Sequence, residues 1–306
     1  MEHLADKIAV VTGGGSGINL AFVKLLHNAG CKVLIADLGL HADARKWLDS
    51  LGPETQSDAV AFQQTDVTDW SQLERMFNVC QEKFGSVPDI VVPGAGIYEP
   101  SSNTFWADVD ENSHYKVLDV NLVHPIKASR LAIRHMVEAG KGGAIIHTSS
   151  IAAQRSSIIT PLYTASKHGI SSFVRGMAPL EELAGIRVAG VAPGTVGSPL
   201  FTDHPEASKF LDMEKDFLLP PEEIAKAMFA LLTDRKYKAG TILEVCDIGN
   251  WREVSLLNDS GPRGPATFTS KKNQAIKEIL PFLSKDGKGA TAGCGSLDGP
   301  VKVSTD

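Results

Sequence analysis

The most constraining feature of this sequence is TGGGSGI, Thr12 to Ile18. It lies between an apolar run, Ile8 to Val11, and a stretch, Ile18 to Ala29, whose apolar residues recur at helical spacing. A strand that passes into a helix through glycines must return before the next strand begins, and Lys32 to Ala36 is that next β-rich run. Such a crossover commits the chain to parallel strands. The alternation continues with strand patterns at Val60 to Gln64, Asp89 to Val92, Ala144 to Thr148, Arg187 to Val191 and Thr241 to Val245. Helical patterns fall between them at His41 to Leu51, Trp70 to Phe84, Asn112 to Ala139, Tyr163 to Leu183 and Pro221 to Leu232. The sequence therefore predicts an α/β fold of Rossmann type: one domain, a doubly wound parallel seven-stranded sheet with helices on both faces, and ligands at the carboxyl ends of the strands.

The pattern fades beyond Trp251, and from Gly261 the composition turns to Gly, Lys, Ser and Pro, with one modest helical stretch at Asn273 to Leu283. Residues 261–306 carry a net charge of +3 on a chain of 306 residues whose total is −6. We expect a dinucleotide-binding domain over residues 1–260 and a Gly/Lys-rich, partly mobile extension over 261–306. The mildly acidic total lacks the footprint of a nucleic-acid binder, which leaves small molecules as the expected ligands. Cys31, Cys80, Cys246 and Cys294 are scattered without a CxxC pair, so neither a zinc site nor a disulfide framework is indicated. His114, His124, His135, His147 and His168 show no metal-ligand spacing and read as surface or satisfied core residues; no metal is assigned. No apolar run is long enough to span a membrane, and the expected location is the cytoplasm.

Glycines between a strand and a helix let a phosphate approach the backbone, where free N–H groups and the positive helix end attract it. Gly13, Gly15, Ser16, Gly17 and Ile18 are the expected contacts, although a plain tight turn explains the cluster equally well when it is taken alone. Asp37 strengthens the case. It closes the second strand twenty residues beyond Gly17, where an acidic side chain meets the adenosine ribose of a dinucleotide. A carboxylate there accepts bonds from both ribose hydroxyls and repels a 2′-phosphate, so the expected cofactor is NAD rather than NADP. The competing role for Asp37 is a helix cap.

Tyr163 and Lys167, four residues apart at a helix start, share one face, so the ammonium can lower the tyrosine pKa toward working pH. YxxxK is common by chance, and its ordinary reading is an exposed helix face. Ser150 adds support, because it ends a strand that opens on the same crevice and can hold a substrate oxygen.

Together these residues resemble the short-chain dehydrogenase/reductase family over roughly residues 5 to 250. TGGGSG is similar to its TGxxxGxG turn, Asp66 with Val67 to its adenine-contacting pair, and Asn121 to its helix asparagine. Ser150, Tyr163 and Lys167 resemble its catalytic set, and Pro193 with Gly194 its later nicotinamide-side loop. YTASKHGI at Tyr163 to Ile170 and the stretch after Pro220 are most similar to 15-hydroxyprostaglandin dehydrogenase-like members. The resemblance implies that Tyr163 exchanges a proton with the substrate oxygen while Ser150 holds that oxygen. It implies that Lys167 lowers the tyrosine pKa and binds the nicotinamide ribose, that Asn121 holds a water linking Lys167 to solvent, and that the backbone of Val196 binds the carboxamide. A homo-oligomer, dimer or tetramer, is implied as well, with the helices carrying Asn121 and Tyr163 paired between copies.

Three departures stand out. Asn19 occupies the third glycine position, where its side chain takes up room but its amide can reach a cofactor phosphate. Pro93, Gly94, Ala95 and Gly96 replace the usual NNAG, losing asparagines that brace the central strand and touch the adenosine, while Gly94 and Gly96 keep the close approach. Ser198 stands where a threonine usually contacts the carboxamide. Asn121, followed by His124 and Pro125, also reads as a cap or kink of a long helix.

The expected activity is NAD-dependent interconversion of an apolar secondary alcohol and its ketone, with oxidation favoured. Two alternatives are a reductase acting on a biosynthetic intermediate and a non-catalytic NAD-binding regulator or scaffold. The expected apolar substrate pocket draws on Ile151, Gln154, Ile158, Ile159 and Thr160, and on Leu200, Phe201, Phe210 and Leu211. Thr160 replaces a glutamine of the prostaglandin enzymes, so no prostaglandin is assumed. The segment from Ser198 to Pro220 reads as a possible lid.

Overall fold

β1, Ile8–Thr12, has every residue buried, as a strand covered on both faces requires. The computed structural model describes residues 1, 3–52, 58–99, 105–107, 114–203, 211–256, 261–267, 270–271, 274–275 and 277. The other strands are β2 (Lys32–Asp37), β3 (Val60–Gln64), β4 (Ile90–Pro93), β5 (Gly143–Thr148), β6 (Ile186–Pro193), β7 (Ile242–Val245) and β8 (Trp251–Glu253). The main helices are α1 (Gly17–Asn28), α2 (Ala42–Ser50), α3 (Trp70–Phe84), α4 (His124–Glu138), α5 (Pro161–Gly176) and α6 (Pro221–Thr233).

The sheet order is β3-β2-β1-β4-β5-β6-β7-β8. Its first seven strands pair in parallel, with Val10 opposite both Leu34 and Val91 at the centre. Alternate strand residues face opposite layers. Ala9, Val11, Val33 and Ile35 pack with Phe22 and Leu26 of α1 and with Met228 and Leu231 of α6. Val10, Leu34 and Val91 pack with Phe77 of α3, Leu131 of α4 and Ile170 of α5. Strand order reverses between β1 and β4, which opens a crevice at their carboxyl ends.

Local signals place the elements. Asp69 caps α3 by accepting from the N–H groups of Ser71 (2.8 Å) and Gln72 (3.3 Å), and Gly85 ends the helix in the left-handed region at φ 83°.

Three expectations about elements are corrected. The sheet has eight strands rather than seven: β8 is a three-residue antiparallel edge strand, too short to show a two-residue period. It is held to β7 by a cross-strand ion pair from Arg252 Nε to the buried Glu244 Oε1 at 2.8 Å. The long helix expected from Asn112 begins instead at Lys116, and Asn112 itself lies outside the described residues. It also contains a π turn, Asp119–Val123, before α4. Pro125 has no N–H for the carbonyl of Asn121, and the ladder shifts there so that His124 N donates to Asp119 O. The helix expected to reach Leu183 stops at Gly176, and Pro179 leads into a separate short helix, Leu180–Ala184.

Residues 261–267, which the sequence assigns to the extension, lie against the domain. Ala266 is fully buried; its N–H donates to Cys246 O at 3.0 Å, and its carbonyl accepts from Thr195 N at 3.1 Å. Most of the helix expected over 273–283 lies outside the described residues.

Candidate active site

The crevice at the switch point opens into a cleft of about 450 Å³. One end is built by the turn between β1 and α1. Gly13 adopts φ +68°, and a Cβ there would come within 2.7 Å of Ala95 Cα, so only glycine allows β1 and the loop after β4 to approach this closely. Ser16, the N-cap of α1, makes no side-chain capping bond. The N–H groups of the first helical turn have no intrahelical partner and carry the positive helix end toward the cleft lined by Ser16, Gly17 and Ile18. Asp37 ends β2 at the same rim, where its Oδ2 accepts from Gly15 N at 2.8 Å. A turn with open donors facing a carboxylate fits a phosphate-bridged dinucleotide, with its ribose on Asp37.

At the other end, Ser150, Tyr163 and Lys167 converge. Ser150 and Lys167 are buried and Tyr163 is partly buried, with the Ser150 hydroxyl near enough to the Tyr163 phenol to favour its ionised form. Lys167 Nζ lies 5.5 Å from the Tyr163 ring centre and donates to Thr148 O at 2.8 Å. Burial pushes Lys167 down to about 8 and Tyr163 up to about 12, the neighbouring Ser150 hydroxyl opposing the latter. Burial dominates the phenol, and the expected lowering by the lysine is not seen in its shift.

Asn121 turns its amide onto the backbone of Ile97, accepting from N at 2.9 Å and donating to O at 2.8 Å. It thus fastens the loop after β4 to the π turn. A Cβ on Gly96 would stand 3.4 Å from Asn121 Oδ1 and 4.0 Å from Lys167 Nζ, so the two side chains flank the same glycine.

The remaining residues named from sequence come together on the cleft: Asp66, Val67, Gly94, Ala95 and Gly96, together with Pro193, Gly194, Val196 and Ser198. Gly15 and Asn121 support the lining without belonging to it. Of the apolar candidates, Ile151, Ile159, Thr160, Leu200 and Phe201 line the cleft, whereas Gln154, Ile158 and Leu211 do not, and Phe210 lies outside the described residues.

Sequence reasoning missed three contributors. Glu99, 1% exposed, accepts from the backbone N–H of Tyr163 at 2.9 Å. Its only sequence signal is an acidic residue beyond the glycines of the β4 loop. His124, fully buried, bonds Val120 O through Nδ1 (2.9 Å) and Thr12 Oγ1 through Nε2 (3.1 Å). Thr12 in turn accepts from Ala95 N at 3.2 Å. Burial lowers the pKa of His124 to about 4, so it is a neutral brace, in line with the satisfied-core reading. Thr267, beyond the expected domain boundary, lines the cleft and accepts from Arg155 Nη2 at 3.0 Å.

Fold and cleft together define a dinucleotide-dependent oxidoreductase of the Rossmann class. The sequence profile of the short chain dehydrogenases matches residues 7–209, and the chain belongs to that family. It is 33% identical over 250 residues to cis-4-hydroxycyclohexanecarboxylate dehydrogenase of Sinomonas cyclohexanicum, covering 80% of this chain and 96% of that one. It is 32% identical over 247 residues to 15-hydroxyprostaglandin dehydrogenase [NAD(+)] of Bos taurus, covering 76% and 88%. An uncharacterized oxidoreductase of Staphylococcus aureus (strain N315) is 31% identical over 238 residues, covering 78% and 95%. The protein is accordingly a dehydrogenase enzyme with a nicotinamide cofactor. Among the described residues no helix is long and apolar enough to cross a membrane, and no cluster of three or more His, Cys, Asp or Glu is placed to hold a metal.

Proposed function

We propose that this enzyme uses NAD to interconvert an apolar secondary alcohol and its ketone, with oxidation favoured and Tyr163 as the proton-exchanging group. The observation that carries the reading is the convergence of Ser150, Tyr163 and Lys167 at one end of a cleft whose other end carries Asp37. Asp37 supports NAD over NADP, because a 2′-phosphate beside it meets like charge. NAD(+) in the printed name of the bovine relative points the same way. Both named relatives act on hydroxylated compounds, which supports an alcohol as substrate.

In the proposed mechanism Ser150 holds the substrate oxygen and sets it against the phenol. Tyr163 takes the hydroxyl proton as the carbonyl forms. Lys167, still mainly protonated at neutral pH, places positive charge beside the phenol and favours its ionised form. When bound, the nicotinamide supplies the acceptor for the hydride that leaves the carbinol carbon. Tyr98 stacks edge-on against both Tyr163 (4.9 Å) and Phe201 (5.1 Å), so an apolar wall excludes water from the phenol. Ile126 and Val137 remain exposed on α4, which supports a homo-oligomer joined through this helix.

The test is Tyr163→Phe assayed by NADH absorbance with a panel of apolar secondary alcohols at mildly alkaline pH. Turnover is expected to vanish while NADH binding is retained; retained turnover would refute the mechanism.

A further inference from the structure

Asn19 and Gly94 lie on different elements 75 residues apart, yet their geometry is interlocked. The Asn19 side chain rises from the first turn of α1 and donates from Nδ2 to the carbonyl of Gly94 at 2.9 Å. A Cβ built on Gly94 would meet Asn19 Oδ1 at 2.4 Å, Cγ at 2.7 Å and Nδ2 at 2.7 Å, and these three atoms are its nearest neighbours. Gly94 is outside the left-handed region, so its backbone tolerates a side chain and the Asn19 amide is the nearest obstacle to one. On the opposite side, a Cβ on Gly13 would stand 3.0 Å from Asn19 Nδ2. The amide is thus wedged between the two glycine turns that form the adenosine end of the cleft.

Asn19 is 8% exposed and lines the cleft, and its Oδ1, packed over Gly94, is itself buried without a hydrogen-bond partner. An oxygen so enclosed is out of reach of a ligand hydroxyl, and its part is to fill the space above the glycine. Nδ2 carries two hydrogens and Gly94 O takes one, so the amide that fixes the loop keeps a donor for a cofactor phosphate.

We propose that Asn19 and Gly94 form one positioning unit for the dinucleotide, in which an amide carried by α1 occupies the space above Gly94 and fixes the loop after β4 against the glycine turn. The two departures from the family pattern are then one exchange: the side chain has moved from the loop to the helix. This rests on the cofactor reading above. Asn19 is a positioning residue, with no part in proton or hydride transfer.

The experiment is a mutant cycle on the full chain, with NADH affinity read by fluorescence titration and the melting midpoint read without nucleotide. Gly94→Ala is expected to weaken NADH binding at least tenfold in the wild-type background and less than threefold beside Asn19→Gly. Asn19→Gly alone is expected to weaken it several-fold. The exchange Asn19→Gly with Gly94→Asn is expected to return affinity to within threefold of wild type, which loss of a merely structural contact would not do. Equal effects of Gly94→Ala in both backgrounds, or an exchange variant that binds no tighter than Asn19→Gly, would overturn the proposal. Should the wild-type chain bind no NADH, the cofactor reading fails, while the nucleotide-free melting cycle still decides whether the two positions are coupled.

Discussion

Replacing Glu99 tests whether the start of α5 is held from outside the helix. Pro161 opens that helix, and its N-cap, Thr160, makes no side-chain capping bond. Glu99 fills the role from the loop after β4: Oε2 accepts from Tyr163 N at 2.9 Å and Oε1 from Phe105 N at 3.3 Å. A carboxylate at a helix N-terminus is also favoured by the helix dipole. A hydrogen bond to a charged acceptor is worth about 1.5–3 kcal/mol, and Glu99→Ala removes it while leaving a buried N–H without its partner. Desolvation outweighs these bonds for the ionised form, which is why the pKa is raised, so the cost of the change comes chiefly from the stranded N–H and is about 2 kcal/mol. At about 2–4 °C per kcal/mol for a large domain, Tm should fall by about 4–8 °C.

The catalytic consequence is separable from the thermal one. Freeing the first turn of α5 displaces the phenol, and a misplacement of about 1 Å can cost as much as a hundredfold in rate. Glu99→Ala should therefore lower kcat about ten- to a hundredfold with KM for NAD within about twofold. Glu99→Gln, which keeps one acceptor oxygen, should stay within about threefold of wild type. Because the folded pKa of Glu99 is raised, its contribution to stability is fully present below the ordinary value of 4.5 and is lost as pH rises through the folded value. Glu99→Gln should flatten that part of the Tm profile. Steady-state kinetics and thermal melts over a pH series decide the matter: an unchanged kcat in Glu99→Ala despite a lower Tm refutes the positioning role, and an unchanged Tm refutes the cap.

Three further outcomes are expected. Asp37→Ala should lower the ratio of kcat/KM with NAD to that with NADP by about tenfold or more, because a unit charge about 4 Å from another costs about 4 kcal/mol at an intermediate dielectric before solvent screening reduces it; an unchanged ratio would remove Asp37 from cofactor selection. Lys167→Met should abolish turnover yet raise Tm at pH 7, since the fall of Lys167 from 10.5 to about 8 represents about 3 kcal/mol of stability. That stability is present above 10.5 and lost as pH falls through about 8, so the gain in Tm should shrink to nothing in strong alkali, and a gain that persists there would show burial of the charge is not its cause. Truncation after residue 260 removes Ala266 from beneath Thr195 and Thr267 from the cleft, and should lower Tm and raise KM for the alcohol more than KM for NAD; a truncated enzyme with wild-type Tm and KM would show that this segment does not build the site.

Periodicity proved a good guide where one residue answers to one layer. Buried strands such as β1 and β5 read as continuous apolar runs because both faces are covered, and α3 carried its own cap and stop in Asp69 and Gly85. Spacing likewise placed Tyr163 and Lys167 on one face of α5 and Asp37 at the rim of the glycine turn. β8 was not legible, because three residues cannot display a period and its partner is chosen by the buried Glu244 across the strand pair. Nor was the role of residues 264–267, whose Gly- and Pro-rich composition resembles a solvated tail but whose backbone groups pair with those of Cys246 and Thr195.

What spacing cannot convey is which hydrogen-bonding groups of a side chain are already taken by the protein. Asn121, Asn19 and Lys167 each sit where the motifs put them, and each is partly engaged: Asn121 with both backbone groups of Ile97, Asn19 with Gly94 O, Lys167 with Thr148 O. All three partners lie at the carboxyl ends of β4 and β5 or in the loop that follows β4, so residues that read as ligand contacts also hold the crevice open at the correct width. The groups left over carry the chemistry that remains: the second N–H of the Asn19 amide beside the glycine turn, and at the other end of the cleft the phenol of Tyr163, which burial keeps protonated near neutral pH. Bringing that phenol into its working range requires positive charge beside it, and the ammonium of Lys167, carried on the next turn of the same helix, is the charge the chain supplies. A neutral replacement at position 167 should therefore remove turnover across the pH range before it acts on the binding of substrate.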